Sequence, residues 1–374
     1  ELNLGTITDE KKRAESLLSV LNSSKCLLVL DNIESVKEKN RREIARFIGR
    51  ISPLHGSKVM LTMRPTLKEL AEMDGAVAME VGRLDMESCL RFMKEEAVTK
   101  SKSVLQILHA EKKDLKSLIE AAGRHPFMIR LAVGRATKDS LQEVEKALGR
   151  LTGGLNDRVM EWLAGSIELL DDNARSILQA FTVFVGSADK QAVEVVCGDD
   201  LDADSALERL TQASLMEYGP NLPRYSLHQM VLDHINRHEP LNAKEEDIYR
   251  GRAAKHYLDA ARELKAMLIS EQAGIASTLF RIELDNMRAG LKWARDKEEH
   301  ELIRDYADNL YIILSLFGYW IEGCDILEAS VESCRTLKER KGEGALLGNL
   351  GLAYANLGEV QKAIEYHQQA FEIS

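Results

Sequence analysis

Lys25-Cys26-Leu27-Leu28-Val29-Leu30-Asp31-Asn32-Ile33-Glu34 is the stretch on which the fold turns. Five apolar residues, counting the cysteine, run unbroken and stop on a single aspartate. A short run with no polar alternation predicts a strand buried on both faces, as in a parallel sheet. Asp31 at its end has two readings. It is a turn residue closing a strand, or it holds a water on a Mg²⁺ ion bound to a nucleotide phosphate.

The flanks extend the pattern. Helical apolar spacing runs from Asp9 to Leu21 and stops at Asn22-Ser23-Ser24. A second helix is expected over Arg41 to Ile51, ended by Ser52-Pro53. The stretch GSKVMLTMRP (56–65) predicts a second buried strand ending near Arg64, and Ala76–Val81 a third. Helices alternating with strands give an α/β layout. Ligands in such sheets gather at the carboxyl ends of the strands, so Asp31 and Arg64 fall on the ligand side.

From Asp85 the periodicity becomes helical, with Asp85 as N-cap of the first helix. Helices are expected through Leu105 and over Leu115–Ala122. Gly123-Arg124-His125-Pro126 breaks the pattern before a further helix, Phe127 to Ala136, and Gly153-Gly154 reads as a linker. Short helices then precede Leu215–Tyr218 and Arg224–His228, two strands around the turn signal Gly219-Pro220-Asn221. Helices followed by a hairpin predict a winged helix. From Glu245 onward nearly everything reads as helix.

The last residues fit a helix-pair repeat of roughly 34 residues, the tetratricopeptide type. With Gly344 at position 1, Leu347, Leu350, Gly351, Tyr354, Gly358, Ala363 and Ala370 fall at 4, 7, 8, 11, 15, 20 and 27. Small residues at 8, 20 and 27 let two helices approach. One such pair cannot bury its own face, so further repeats are expected in a longer native protein.

Composition narrows the function. The chain has 374 residues, 45% of them apolar, enough for several cores. Its net charge of -10 argues against a broad nucleic-acid footprint, which needs a positive surface. The five cysteines form no CxxC pair, which predicts buried thiols in a reducing cytoplasm. No apolar run long enough for a membrane span occurs. His234 and His238 stand four apart with Asp233 nearby, but no third metal ligand is evident on that face.

Taken in order, these motifs resemble the signal-transducing P-loop ATPases of the STAND class, with an NB-ARC-like core. CLLVLDNIE resembles their Walker B strand, and GSKVMLTMRP their sensor strand. EVGRLDMESCLRFMKEEA is similar to the start of their helical lid, and GRHPFMIRLA to their Gly-x-Pro loop and its helix. LTQASLMEYGPNLPRYSLHQMVLDHI resembles their winged helix with its sensing histidine. RIELDNMRAGLKWARD and GYWIEGCDILEAS resemble the linker into tetratricopeptide repeats. The resemblance covers nearly the whole chain and rests on order and spacing.

The resemblance implies a mainly α chain with a partial α/β P-loop NTPase sheet at its start, then a helical lid, a winged helix and an α-solenoid. The expected domains are 1–81 (the C-terminal part of the NTPase core), 82–152 (lid), 153–240 (winged helix), 241–340 (helical linker and degenerate repeats) and 341–374 (a repeat of a truncated array). It also implies ADP or ATP with Mg²⁺ as cofactor. Asp31 would hold Mg²⁺ through water, Arg64 would reach the γ-phosphate, Pro126 would pack on the adenine, and His228 would meet the β-phosphate of ADP. From the residues alone, Arg64 has the alternative reading of a solvated strand-end arginine, Pro126 that of a helix N1 proline, and His228 that of a hairpin-edge or core histidine.

Four departures qualify this. No GxxxxGK[ST] loop precedes Asp31; it is either upstream or missing, and this stretch alone should bind nucleotide weakly or not at all. Asn32 stands where many ATPases carry a second acid, and an amide is no general base, so at most slow hydrolysis is expected. Arg124 replaces a small residue two before Pro126, and Leu227-His228-Gln229 lacks the Asp that often follows the histidine. The implied partners are a protein or peptide on the repeats and, depending on nucleotide, further copies of the chain, with no membrane or direct nucleic-acid contact. A non-hydrolysing interaction scaffold with a degenerate core is the alternative.

Overall fold

The computed structural model describes residues 10–31, 33, 36–52, 54, 56–63, 75–100, 105–219 and 221–373. Among the described residues helix dominates, with two small sheets. Contacts divide the chain into two compact units, one of Gly82–Asp305 and one of Glu1–Val81 with Tyr306–Ser374.

The chain opens with α1 (Glu10–Ser23), β1 (Leu27–Leu30), α2 (Glu38–Ile48) and β2 (Lys58–Leu61). The strands pair in parallel, Leu27 opposite Lys58 and Leu30 opposite Leu61. Helix α2 starts three residues before the sequence suggests. Two expectations fail here. β1 is not buried on both faces: Leu27 is 65% and Val29 48% exposed, because no described element covers that side of a two-stranded sheet. Ala76–Val81 forms no strand; nothing among the described residues pairs with it, and Val77, Met79 and Val81 are exposed.

The Gly82–Asp305 unit begins with a helical cluster: α3 (Met86–Val98), α4 (Leu105–His109), α5 (Lys112–Ala121), α6 (Pro126–Arg135) and α7 (Leu141–Gly149). Asp85 caps α3 as expected, accepting the Ser88 N–H at 2.9 Å. Ser140 and Glu143 close a capping box on α7. Helix α6 is apolar nearly all round, and Phe127, Met128, Ile129, Leu131, Ala132 and Val133 are all buried. A helix with that pattern belongs in a core.

After α8 (Leu155–Glu168) comes the winged helix. Its order is α9 (Asp172–Ala180) with a 3₁₀ turn (Phe181–Val183), β3 (Ser187–Asp189), α10 (Lys190–Cys197), α11 (Ala203–Gln212), β4 (Glu217–Gly219), β5 (Arg224–Ser226) and α12 (Gln229–His238). The sheet is antiparallel with order β3-β5-β4. Asp171, Asp189 and Asp202 each accept a backbone N–H three residues on, capping α9, α10 and α11. The hairpin differs from expectation in one functional detail. β5 stops at Ser226, so His228 lies outside the strand and caps α12 instead.

A hairpin of two long helices follows, α13 (Ala243–Leu268) and α14 (Ala273–Asp296), and a buried polar network ties it to the winged helix. Arg224, 8% exposed, donates to Ser187 Oγ (2.9 Å) and the Ser187 carbonyl (2.7 Å), and pairs in bidentate fashion with Glu283 of α14. Asn286 accepts from Val185 N–H at 2.7 Å and donates to the Ser187 carbonyl at 3.0 Å. Arg252 of α13 donates to the Val196 and Cys197 carbonyls at the end of α10.

α15 (His300–Leu316), α16 (Trp320–Leu337), α17 (Arg340–Asn356) and α18 (Val360–Ile373) complete the chain as two helix pairs. Gly318 and Gly358, both at positive φ, turn the two pairs at equivalent places. The small residues act as the repeat pattern requires. A Cβ on Gly351 would stand 2.6 Å from the His367 ring, and one on Gly344 2.9 Å from Ile373. Leu347, Leu350 and Ala363 are buried in the groove they make.

The buried ion pair yields a stability prediction. Glu283→Ala leaves Arg224 charged and unpaired in the core, so urea unfolding should lose about 3–5 kcal/mol; a loss below about 1 kcal/mol would contradict the account. A second prediction concerns pH. Burial holds the His234 imidazole below its usual range, with His238 adding to this and Glu239 opposing it. The unfolded chain therefore takes up a proton first as pH falls below about 6.5, and stability present above that pH is lost on acidification. His234→Leu should flatten the decline in stability between about pH 6.5 and 5, read from denaturation midpoints.

Candidate functional site

The parallel register fixes the surroundings of Asp31. Because Leu30 pairs with Leu61, Asp31 emerges beside Thr62 at the carboxyl edge of the sheet. The Thr62 N–H donates to the Leu30 carbonyl at 3.1 Å, and the Ile33 N–H to the Thr62 carbonyl at 3.1 Å. The Thr62 hydroxyl donates to Asp31 Oδ1, so the exposed carboxylate is oriented by a side chain of the neighbouring strand. Among the described residues no group of three or more His, Cys, Asp or Glu side chains is placed to hold a metal. A single oriented carboxylate fits a water on Mg²⁺ whose inner ligands include phosphate oxygens, the usual Mg²⁺ arrangement. Arg64 and Asn32 lie outside the described residues.

Pro126 and His228 lie in the Gly82–Asp305 unit, and the structure brings their surroundings together. Helix α5 ends at Gly123 and Arg124, both at positive φ (67° and 54°). The Arg124 N–H reaches back to the Ile119 carbonyl at 3.1 Å, closing the helix in the left-handed manner that glycine adopts most easily. The arginine at this place, where a small residue was expected, folds its guanidinium onto Glu120. That contact holds the Glu120 carboxyl below its usual range. His125 is extended, as a residue before proline must be, and Pro126 starts α6 at N1 with its ring exposed.

The next residue, Phe127, is buried, and its ring stacks on the imidazole of His228 at 4.2 Å between centroids and 21° between planes. His228 Nδ1 accepts the Met230 N–H at 3.2 Å, which caps α12. A ring nitrogen that accepts carries no proton, so the imidazole bears its proton on Nε2. A donor of that kind suits a phosphate oxygen. Sequence reasoning passed over Phe127: one apolar residue at the start of a buried helix reads as core, and only the fold sets it against His228.

Helix α6 also seats the winged helix. A Cβ on Gly134 would stand 2.3 Å from the Ala213 carbonyl oxygen, so the helix backbone lies directly on the turn after α11. Arg130 pairs with Glu96 of α3 at 3.0 Å and with Glu217 of β4. Lys100 donates to the Thr211 carbonyl at 2.6 Å, and burial pushes its ammonium below the usual lysine range, with Glu96 opposing. Helix α11, which in DNA-reading relatives of this fold would enter a groove, here carries Asp204 and Glu208 and has its C-terminal end against α6.

No family model matches the chain, and no curated protein does. Among solved structures it is similar to the crystal structure of a Signal Transduction ATPase with Numerous Domains (STAND) protein with a tetratricopeptide repeat sensor from Pyrococcus horikoshii, at 13% identity and a TM-score of 0.42. The alignment covers 99% of this chain and 65% of that one, so the chain spans 65% of the length of that protein.

Proposed function

We propose that the chain is the regulatory part of an ADP/ATP-dependent signal-transduction switch, with helical repeats that take a protein or peptide ligand and govern self-assembly or an effector domain. The contact that carries this reading is Phe127 on His228. It couples the loop expected at the adenine, Gly123 to Pro126, to the histidine expected at the β-phosphate. In the other unit Asp31, oriented by Thr62, would take the Mg²⁺ water. A ligand shifts such a switch only through different affinities for its two states. Nε2–H of His228 supplies a contact suited to one of them, the ADP state. A phosphate loop is required for tight binding, so the reading is one for a protein that includes it.

The repeats suit a protein ligand. Ile312 and Leu316 on α15 and Leu352 on α17 are exposed, Ile312 at 44% and Leu352 at 55%. Among the described residues no helix is long and apolar enough to cross a membrane. The second reading is a repeat scaffold whose ATPase core has only a structural role. Asn32, next after Asp31 in the sequence, favours it.

Oligomer size separates the two. In the native-length protein, His228→Ala should loosen the ADP state and raise the assembled fraction severalfold by light scattering in ADP. Asp31→Ala should weaken Mg²⁺-ATP more than ADP in titration calorimetry. If both variants match the parent in nucleotide preference and in size, the switch is wrong and the scaffold stands.

A further inference from the structure

We propose that Glu328, with the stacked rings of Tyr354 and Tyr366, forms a subsite on the helical repeats for an arginine side chain of a protein ligand. Three helices supply it: Glu328 lies on α16, Tyr354 on α17 and Tyr366 on α18. The Tyr354 hydroxyl donates to Glu328 Oε1 at 2.6 Å, and the Tyr366 hydroxyl to the same oxygen at 3.3 Å. Burial pushes both phenols up, and Glu328 adds to this, so both hydroxyls keep the protons they donate. Two donors on one oxygen orient the carboxylate. Its other oxygen, Oε2, accepts nothing among the described residues, and Glu328 is exposed. Beside it the two rings lie 5.4 Å apart between centroids and 11° from parallel, with Tyr354 8% exposed and Tyr366 half-buried. A cation already rests here. The exposed Lys362 holds its ammonium 4.8 Å from the centre of the Tyr354 ring and pairs with no carboxylate among the described residues. A clip between helices needs only Oε1. A free oxygen on an oriented carboxylate next to aromatic rings suits a guanidinium, which donates in its plane and stacks through its faces. Asp325, exposed one turn earlier on α16, adds negative charge to the same face.

The role of the subsite rests on the reading in which the repeats take a protein ligand; its chemistry does not. Tetra-arginine amide and tetra-lysine amide are titrated into the chain at low salt and followed by calorimetry. The parent should bind tetra-arginine more tightly than tetra-lysine. Glu328→Gln keeps an oxygen for both tyrosine hydroxyls but removes the charge, and should weaken tetra-arginine roughly three- to fivefold. Glu263→Gln removes an equal charge from an exposed position on α13 and should leave the affinity unchanged. Lys362→Gln removes the resident cation and should tighten tetra-arginine about twofold. Equal affinity for the two peptides, a Glu328→Gln variant that binds tetra-arginine no more weakly than Glu263→Gln, or weaker binding by Lys362→Gln overturns the proposal. If the subsite passes these tests while the assembled fraction of the native-length protein ignores tetra-arginine, the subsite stands and the reading in which the repeats govern assembly is overturned instead.

Discussion

The close approach of helix α6 to the winged helix is the constraint on which the Gly82–Asp305 unit depends. It is possible only because residue 134 has no side chain: any Cβ there would enter the Ala213 carbonyl. With the backbones that near, Arg130 reaches Glu217, Lys100 reaches the Thr211 carbonyl, and Phe127 meets the His228 ring. Each contact is modest alone, about a kcal/mol for a hydrogen bond or an aromatic pair. Gly134, Arg130 and Phe127 share one rigid helix, so their contacts form or break as a set.

On its other side the winged helix is held by different physics. Arg224 and Glu283 are both nearly dry, and their charges are tolerable only because Ser187 and Asn286 complete the hydrogen bonding. Such a network does not slide, since a displaced partner would leave a buried charge. The seam with α6 is less costly to open. It pairs a half-exposed Glu217 and a backbone carbonyl with cations, and it is sensitive to salt where solvent reaches it. The winged helix is thus joined firmly to α13 and α14 and less firmly to the lid cluster.

Legibility in the sequence followed locality. Caps such as Asp85, the small residues of the last repeat and the strand ending on Asp31 were readable, because neighbours within a few positions determine them. Features fixed by distant partners were not. Ser187-Ala188-Asp189 has no strand propensity and forms β3 only because β5 lies beside it. Arg224 in a hairpin looks solvated until Glu283 arrives from a helix far along the chain. The expected strand at Ala76–Val81 had composition but no partner among the described residues, and composition without a partner makes no sheet. Of the candidate site, Asp31, Pro126 and His228 were read from motif order, whereas Phe127, which reaches His228, was visible only in three dimensions.

The most direct measurement is of what the native-length protein carries when purified without added nucleotide. The protein is denatured, and the released small molecules are separated by chromatography and counted against protein. The account predicts close to one ADP per chain. A folded protein that releases no nucleotide, and that takes up neither ADP nor ATP when these are added, would contradict it and leave Asp31 as a residue that turns the chain at the end of a strand.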